Sequence, residues 1–266
     1  MTWGGMILPE DHMYRWPDYY DWTSEGLDGD LSYYADLAMK VGGPVLELGC
    51  GTGRCTLGIA RHGLDVVGID RESIMLQQAA RKAEALGLAH SCRWIQGDMS
   101  QFELDEQYPL VVIPYRSFLH LMTPREQLDT LSCIHRHLKD DGILAFNIFV
   151  PHVRHMTEED GKYLYRGSFP IPGSGSRVEV YDGLQFDHFN QHAFVIRYYE
   201  RFDSQGRTEE RLRTRFSLRY IYPAEMDLLL RSSGFEVCNR YGGFQREPFG
   251  PDSDELIIEA RKADSL

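Results

Sequence analysis

The stretch Val45-Leu46-Glu47-Leu48-Gly49-Cys50-Gly51-Thr52-Gly53-Arg54 constrains this chain more than any other. It is a short apolar run with one acid inside it, then three glycines spaced two apart, then residues that open a helix. A run that is apolar on both faces suits a strand buried within a parallel sheet. Glycine at its end accepts positive φ and lets another molecule approach bare backbone. The helix that follows begins with unpaired N–H groups, which favour polar or anionic ligand groups. Together these features predict the nucleotide-binding corner of an open α/β sheet.

The next segments extend that sheet. Thr52 to His62 reads as the first crossover helix, and Gly63 closes it. Leu64 to Asp70 is a second strand that ends on a carboxylate. An acid about 20 residues past the glycines can accept both ribose hydroxyls of an adenosine. Asp70 is therefore the strongest single binding residue, and capping the next helix is a compatible role. A helix over Ser73 to Leu86 leads to a third strand, Cys92 to Met99, which ends in Gly97-Asp98-Met99. Tyr108 to Tyr115 is the fourth strand.

Strands one and four flank the switch point of a sheet ordered 3-2-1-4-5, and ligands of such sheets bind outside the carboxyl ends there. Tyr115-Arg116-Ser117-Phe118-Leu119-His120 thus faces the reaction centre. Thr123-Pro124-Arg125-Glu126 opens a helix with a capping box and proline at its first position. Leu128, Leu131, Ile134 and Leu138 form its expected buried stripe. Ile143 to Val150 is the fifth strand.

After Pro151 the alternation of strand and helix stops. Pro170, Pro172, Gly173 and Gly175 mark a loop. Three alternating segments follow, Arg177–Asp187, His192–Phe202 and Arg207–Tyr220, and they predict an antiparallel meander inserted after strand five. In the third, Arg211, Arg213, Arg215 and Arg219 point one way and Leu212, Phe216, Leu218 and Tyr220 the other. That arginine row is either a solvated face balanced by Glu179, Glu200, Glu209 and Glu210, or a basic stripe toward an anionic acceptor. Pro223 to Ser233 is then a helix, and Phe235–Phe244 with Glu255–Arg261 an antiparallel pair closing the sheet.

The N-terminal segment is rich in rings: Trp3, Tyr14, Trp16, Tyr19, Tyr20 and Trp22. Packing alone rewards such rings, as a strap on the core, and they could also cover a cationic ligand. Asp28 to Lys40 has helical spacing, with Leu31, Tyr34, Leu37 and Ala38 on one face. The formal net charge of −12 repels phosphate backbones, which disfavours nucleic acid as a partner. Five cysteines without a C-x-x-C suggest neither a disulfide framework nor a zinc site, and no metal is expected. No basic-then-apolar leader pattern and no membrane-length apolar run is present, so a reducing cytoplasm is the expected compartment.

The E-x-G-x-G-x-G pattern of Glu47 to Gly53 resembles motif I of the class I S-adenosylmethionine-dependent methyltransferases. The likeness runs over about residues 40–150 by motif and over 220–262 by pattern. It implies a doubly wound, seven-stranded, mostly parallel α/β sheet with a reversed last strand, interrupted by the antiparallel insertion after strand five. It also implies S-adenosylmethionine as the methyl donor, held by Glu47, Gly49, Cys50, Gly51, Gly53, Asp70, Arg71, Met75, Gly97, Asp98, Met99 and Pro114. In that family the acid at Asp98 meets the adenine amino group and the residue at Met99 packs on the ring.

The chain looks most like bacterial small-molecule N-methyltransferases, including those that dimethylate amino sugars. They also carry an antiparallel insertion after strand five, and a histidine at the place of His120. Pro114-Tyr115-Arg116-Ser117 departs from the Asp/Asn-Pro-Pro-Tyr of many enzymes that methylate planar amines, so such an acceptor fits less well. His120, Tyr115 and Arg116 are the expected catalytic group. His120 is either the base that takes the acceptor's proton or a packed histidine. Arg116 either holds an acceptor anion or pairs with an acidic neighbour.

The expected layout is an aromatic cap segment (1–40), a cofactor-binding core (41–150), an insertion serving as lid or homodimer element (151–222) and a closing helix and hairpin (223–266). Three functions are weighed: methyl transfer to the nitrogen or oxygen of a small molecule, non-catalytic binding of the same nucleoside, and nicotinamide-dependent oxidoreduction. The last needs a third glycine at longer spacing, and Gly58 falls too late for it.

Overall fold

A computed structural model describes residues 11–263, so Trp3 lies outside the described residues. In chain order come α1 (Pro17–Thr23), α2 (Asp30–Val41), β1 (Val45–Leu48), α3 (Arg54–Ala60), β2 (Val66–Asp70), α4 (Ser73–Ala85), β3 (Cys92–Gln96) and β4 (Tyr108–Ile113). They are followed by α5 (Pro124–His137), β5 (Leu138–Phe149), α6 (Val153–Glu159), β6 (Tyr163–Pro170), β7 (Arg177–Asp187), β8 (His192–Phe202) and β9 (Thr208–Arg219). The chain closes with α7 (Pro223–Ser232), β10 (Phe235–Tyr241) and β11 (Glu255–Lys262).

The chain forms two compact units, which are Gly26–Pro151 with the described residues from Ile221 on, and the described residues up to Glu25 with His152–Tyr220. The larger unit holds a seven-stranded sheet ordered β10-β11-β5-β4-β1-β2-β3. β1 is its buried centre, with all four residues inaccessible, and it pairs in parallel with both β2 and β4. β11 runs antiparallel to β5 and to β10, so the last strand is reversed as expected. This is the Rossmann-like fold that the order of motifs implies.

Local sequence explains most element ends. Thr123 accepts the Glu126 N–H while the Glu126 carboxylate accepts the Thr123 N–H, with Pro124 at the first helical position of α5. The buried stripe of α5 differs from the expected one. Leu131, Ile134 and Leu138 are fully buried, but Leu128 is only half-buried and Gln127 and Thr130 go inside. Gln127 is tolerated there because its amide donates to the Leu121 carbonyl at 3.0 Å. β5 begins at Leu138, ahead of the apolar run, where Leu138 pairs with Tyr108.

The insertion has four strands, ordered β6-β7-β8-β9, and a short helix ahead of them, where the sequence pattern showed three strands and a loop. Its antiparallel register sets Arg211 opposite Glu200, and the two side chains pair at 2.9 Å. Arg211 and Arg213 are exposed, whereas Arg219 is buried and reaches the Gln191 side chain at 3.2 Å. The opposite face carries the unit's own core. Val178, Val180 and Tyr199 pack with Tyr19 of α1, and Trp16, Trp22, Phe169 and Leu212 close around them. Burying one such large side chain stabilises by roughly 1.5–3 kcal/mol. Among the described residues, no helix is long and apolar enough to cross a membrane.

Candidate active site

The corner at the end of β1 is built from the larger unit alone. Gly49 and Cys50 donate their N–H groups to the Ile69 carbonyl at 2.8 and 3.0 Å, which ties the glycine loop to β2. Gly51 donates to Asp70 Oδ2 at 2.8 Å, and Glu72 donates its backbone N–H to Asp70 Oδ1 at 2.9 Å. Burial pushes the Asp70 carboxyl above its ordinary range, while these two N–H groups oppose the shift. Each carboxylate oxygen has a second lone pair. Asp70 therefore fixes the loop and keeps acceptor capacity for hydroxyls.

A side chain at Gly51 would meet no protein atom nearer than Met75 Cε at 3.7 Å, so the loop is open at that point. Two methionines frame it. Met75 lies beside Gly51, and Met99 Cε comes within 3.3 Å of where a Gly49 side chain would begin. Both are buried, and a flexible thioether suits contact with a flat, apolar ring. Gly97 donates its N–H to the Asp70 carbonyl at 3.0 Å. Asp98 Oδ1 accepts from the Ser100 N–H and hydroxyl at 2.8 and 2.7 Å, which is a turn-forming role, and its Oδ2 lies 3.5 Å from Arg71 Nε. The ends of β2 and β3 are thus drawn together.

Two residues of the motif point elsewhere. Cys50 turns its thiol down onto Gly68, within 2.8 Å of where a side chain on that glycine would start. Glu47 is buried and accepts the Thr56 hydroxyl at 2.5 Å, bracing β1 against α3. Burial raises its carboxyl to about 7.

The end of β4 forms the other wall. Pro114 is buried, and its carbonyl accepts the Ser117 hydroxyl at 2.9 Å. The same hydroxyl lies 3.4 Å from the Gly49 carbonyl, which stitches the ends of β1 and β4 together. Tyr115 and Arg116 are left-handed, at φ 55° and 65°. His120 ends a 3-10 turn, Ser117–His120, that is anchored by the fully buried Phe118 and Leu119 and is itself half-buried. Of the two roles open to Arg116, the structure has the ion pair, with its Nε 2.8 Å from Glu255 Oε1.

The sequence pattern did not single out Ser117, Arg54, Asp30, Asn147 or Glu255. Arg54 opens α3 and forms a forked pair with buried Asp30, at 2.9 and 2.5 Å. Asn147, a polar residue inside the apolar run of β5, was the one visible sign of this polar network.

The reversed seven-stranded sheet, the open glycine corner and an acid with unspent acceptor capacity at the end of β2 define one class of protein. The chain is a class I S-adenosylmethionine-dependent methyltransferase. The methyltransferase domain family model matches residues 45–142. Over its whole length the chain is 25% identical to the putative methyltransferase YqeM of Bacillus subtilis, covering 100% of this chain and 99% of that one. Among solved structures it is similar to the CcbJ methyltransferase of Streptomyces caelestis, with a TM-score of 0.78 at 22% identity over 96% of this chain and 98% of that chain. It is also similar to CalS10, an amino pentose methyltransferase of Micromonospora echinaspora solved with bound S-adenosylmethionine, with a TM-score of 0.66 at 18% identity over 87% and 91%.

Proposed function

We propose that this methyltransferase acts on the nitrogen or oxygen of a small polar molecule, with an amine on a sugar-like scaffold foremost. The observation that carries the reading is the four-stranded antiparallel insertion between β5 and α7, in a chain that aligns along most of its length with an amino pentose methyltransferase. The net charge of −12 and the absence of Asp/Asn-Pro-Pro-Tyr after β4 favour a small acceptor over a nucleic-acid base.

Bound S-adenosylmethionine supplies a methyl group already activated on a sulfonium. The chain's own residues then have three tasks. Asp70 accepts the ribose hydroxyls, and the open backbone at Gly51 leaves room for the donor. Met99 and Met75 would pack on its apolar surfaces, with Asp98, Arg71 and Gly97 placed to hold the adenine end. The turn from Pro114 through Tyr115 and Ser117 walls the acceptor side, excludes water and holds the acceptor in line. His120 takes the proton that the acceptor's nitrogen or oxygen loses as its new bond to carbon forms.

Incubation with isotopically labelled methyl donor and pools of amino sugars, amino acids and their hydroxyl analogues tests the reading. Label is expected in an amine fraction. Asp70→Ala should weaken S-adenosylhomocysteine binding by more than about tenfold. His120→Asn should lower kcat by about 10²–10⁴-fold and leave that binding within about threefold. Labelled product from no small-molecule pool, with nucleoside binding intact, sinks the reading.

A further inference from the structure

Two consecutive non-glycine residues at the end of β4 are left-handed, and each is gripped separately. Such conformations persist where the surroundings over-determine them. The Arg54 guanidinium lies 5.4 Å from the centroid of the Tyr115 ring, and Asp30 holds that guanidinium through its forked pair. Arg116 pairs with Glu255 through both Nε and Nη2. Glu255 Oε2 accepts from Asn147 Nδ2 at 2.8 Å, and Asn147 Oδ1 accepts from the Tyr34 hydroxyl at 3.0 Å.

The two arms share one root. Asp30 and Tyr34 stand on α2 four residues apart, hence on one face of that helix. Gly26 makes room for the first arm, since a side chain there would begin 2.4 Å from Arg54 Nη1. The second arm runs through the buried interior of the sheet, where an unmatched amide or carboxylate is unfavourable. The arms engage Tyr115 and Arg116, whereas the cofactor's sugar and ring are expected at Asp70 and the methionine pair.

We propose that α2 sets the conformation of the Tyr115–Arg116 turn through these two arms, which makes Asp30, Arg54, Asn147 and Glu255 positioning residues for methyl transfer. The proposal deepens the functional reading above and rests on it, because the turn leads through Ser117 to His120. Loss of either arm lets the turn leave the left-handed region and displaces the wall that carries His120.

Hydrogen–deuterium exchange on the full chain tests this, with Glu255→Gln, Asp30→Asn, Arg116→Gly and the double variant R116G/E255Q. Amides 115–121 should exchange about tenfold faster in Glu255→Gln and in Asp30→Asn, while those of β1 and β5 keep their rates. A merely structural role would instead speed exchange throughout the sheet. In the Arg116→Gly background, Glu255→Gln should change exchange at 115–121 by less than about twofold, since its lever is gone. If Asp30→Asn does not fold, Arg54→Lys, which keeps the charge and loses the fork, replaces it.

Calorimetric titration with S-adenosylhomocysteine accompanies each variant, and its Kd should stay within about fivefold of the parent. Unchanged exchange at 115–121 in both single variants, or an undiminished effect of Glu255→Gln without Arg116, overturns the proposal. Absence of heat with the unsubstituted protein would strike the methyl-transfer reading and leave the exchange result to judge the two arms.

Discussion

Gly51 and Gly53 are both left-handed, at φ 54° and 80°, yet a side chain would find different surroundings at each. At Gly53 it would begin 2.7 Å from the Trp94 ring and 3.0 Å from Ala79, so Gly53→Ala is expected to destabilise the fold by about 2 kcal/mol or more. At Gly51 only Met75 is near, so Gly51→Ala adds backbone strain of about 1 kcal/mol and a methyl group on the ligand side. Melting should fall little, while affinity for S-adenosylhomocysteine falls more than about tenfold. Retained affinity in Gly51→Ala would put the nucleoside elsewhere. The letters alone called for three glycines and left open which one is open to a ligand, because all three positions make the same backbone demand. Glu47 shows the same gap between letter and position. Its family place is with the cofactor, and its carboxylate here is bound to Thr56. Burial lifts that carboxyl from 4.5 to about 7. Between those values the unfolded chain has already ionised and the folded one has not, so the group's contribution to stability is lost as pH rises. The loss is at most about 3 kcal/mol. Glu47→Gln should flatten that slope, as read from denaturant midpoints at about pH 5 and about pH 8.

At the scale of elements, legibility followed whether an element carries its own end signals. Four letters, Thr123 to Glu126, specify the start of α5, and the structure forms both bonds of the capping box. Thr123→Ala should therefore cost about 1 kcal/mol. The check is a fall in melting temperature of roughly 2–4 °C with unchanged nucleoside affinity. A change in affinity instead would mean that this cap also shapes the cofactor corner. β7, β8 and β9 were legible because their alternation runs unbroken between turns. β6 was not, because its register slips between Tyr165 and Gly167 and Pro170 stands at its end. Both faults are tolerated in an edge strand whose place is fixed by pairing with β7. β5 likewise starts within the charged residues Lys139, Asp140 and Asp141, since pairing of Leu138 with Tyr108 decides its start. Periodicity reports burial, and Lys139 to Asp141 and most of β6 are strand without being buried.

For the whole molecule, the sheet order was legible because each βα step is local, and the loop between Phe244 and Glu255, with Pro248, Gly250 and Pro251, signalled the reversed strand. The acceptor was not, because the groups nearest the expected reaction centre are fixed by partners far away in sequence, such as Arg116 by Glu255. The cofactor corner is different in kind. Asp70, Gly51, Met75 and Met99 lie within one short stretch of chain and in one compact unit, so nucleoside binding should behave as a single site that exists only in the folded state. S-adenosylhomocysteine at about a hundred times its Kd then adds about 2.7 kcal/mol of stability. For a chain of this size that is an upward shift in melting temperature of roughly 5–10 °C, growing with the logarithm of ligand concentration. A nicotinamide dinucleotide at the same concentration should give none, since the glycine spacing here leaves no place for its pyrophosphate. An equal shift with both would show that the corner recognises only adenosine.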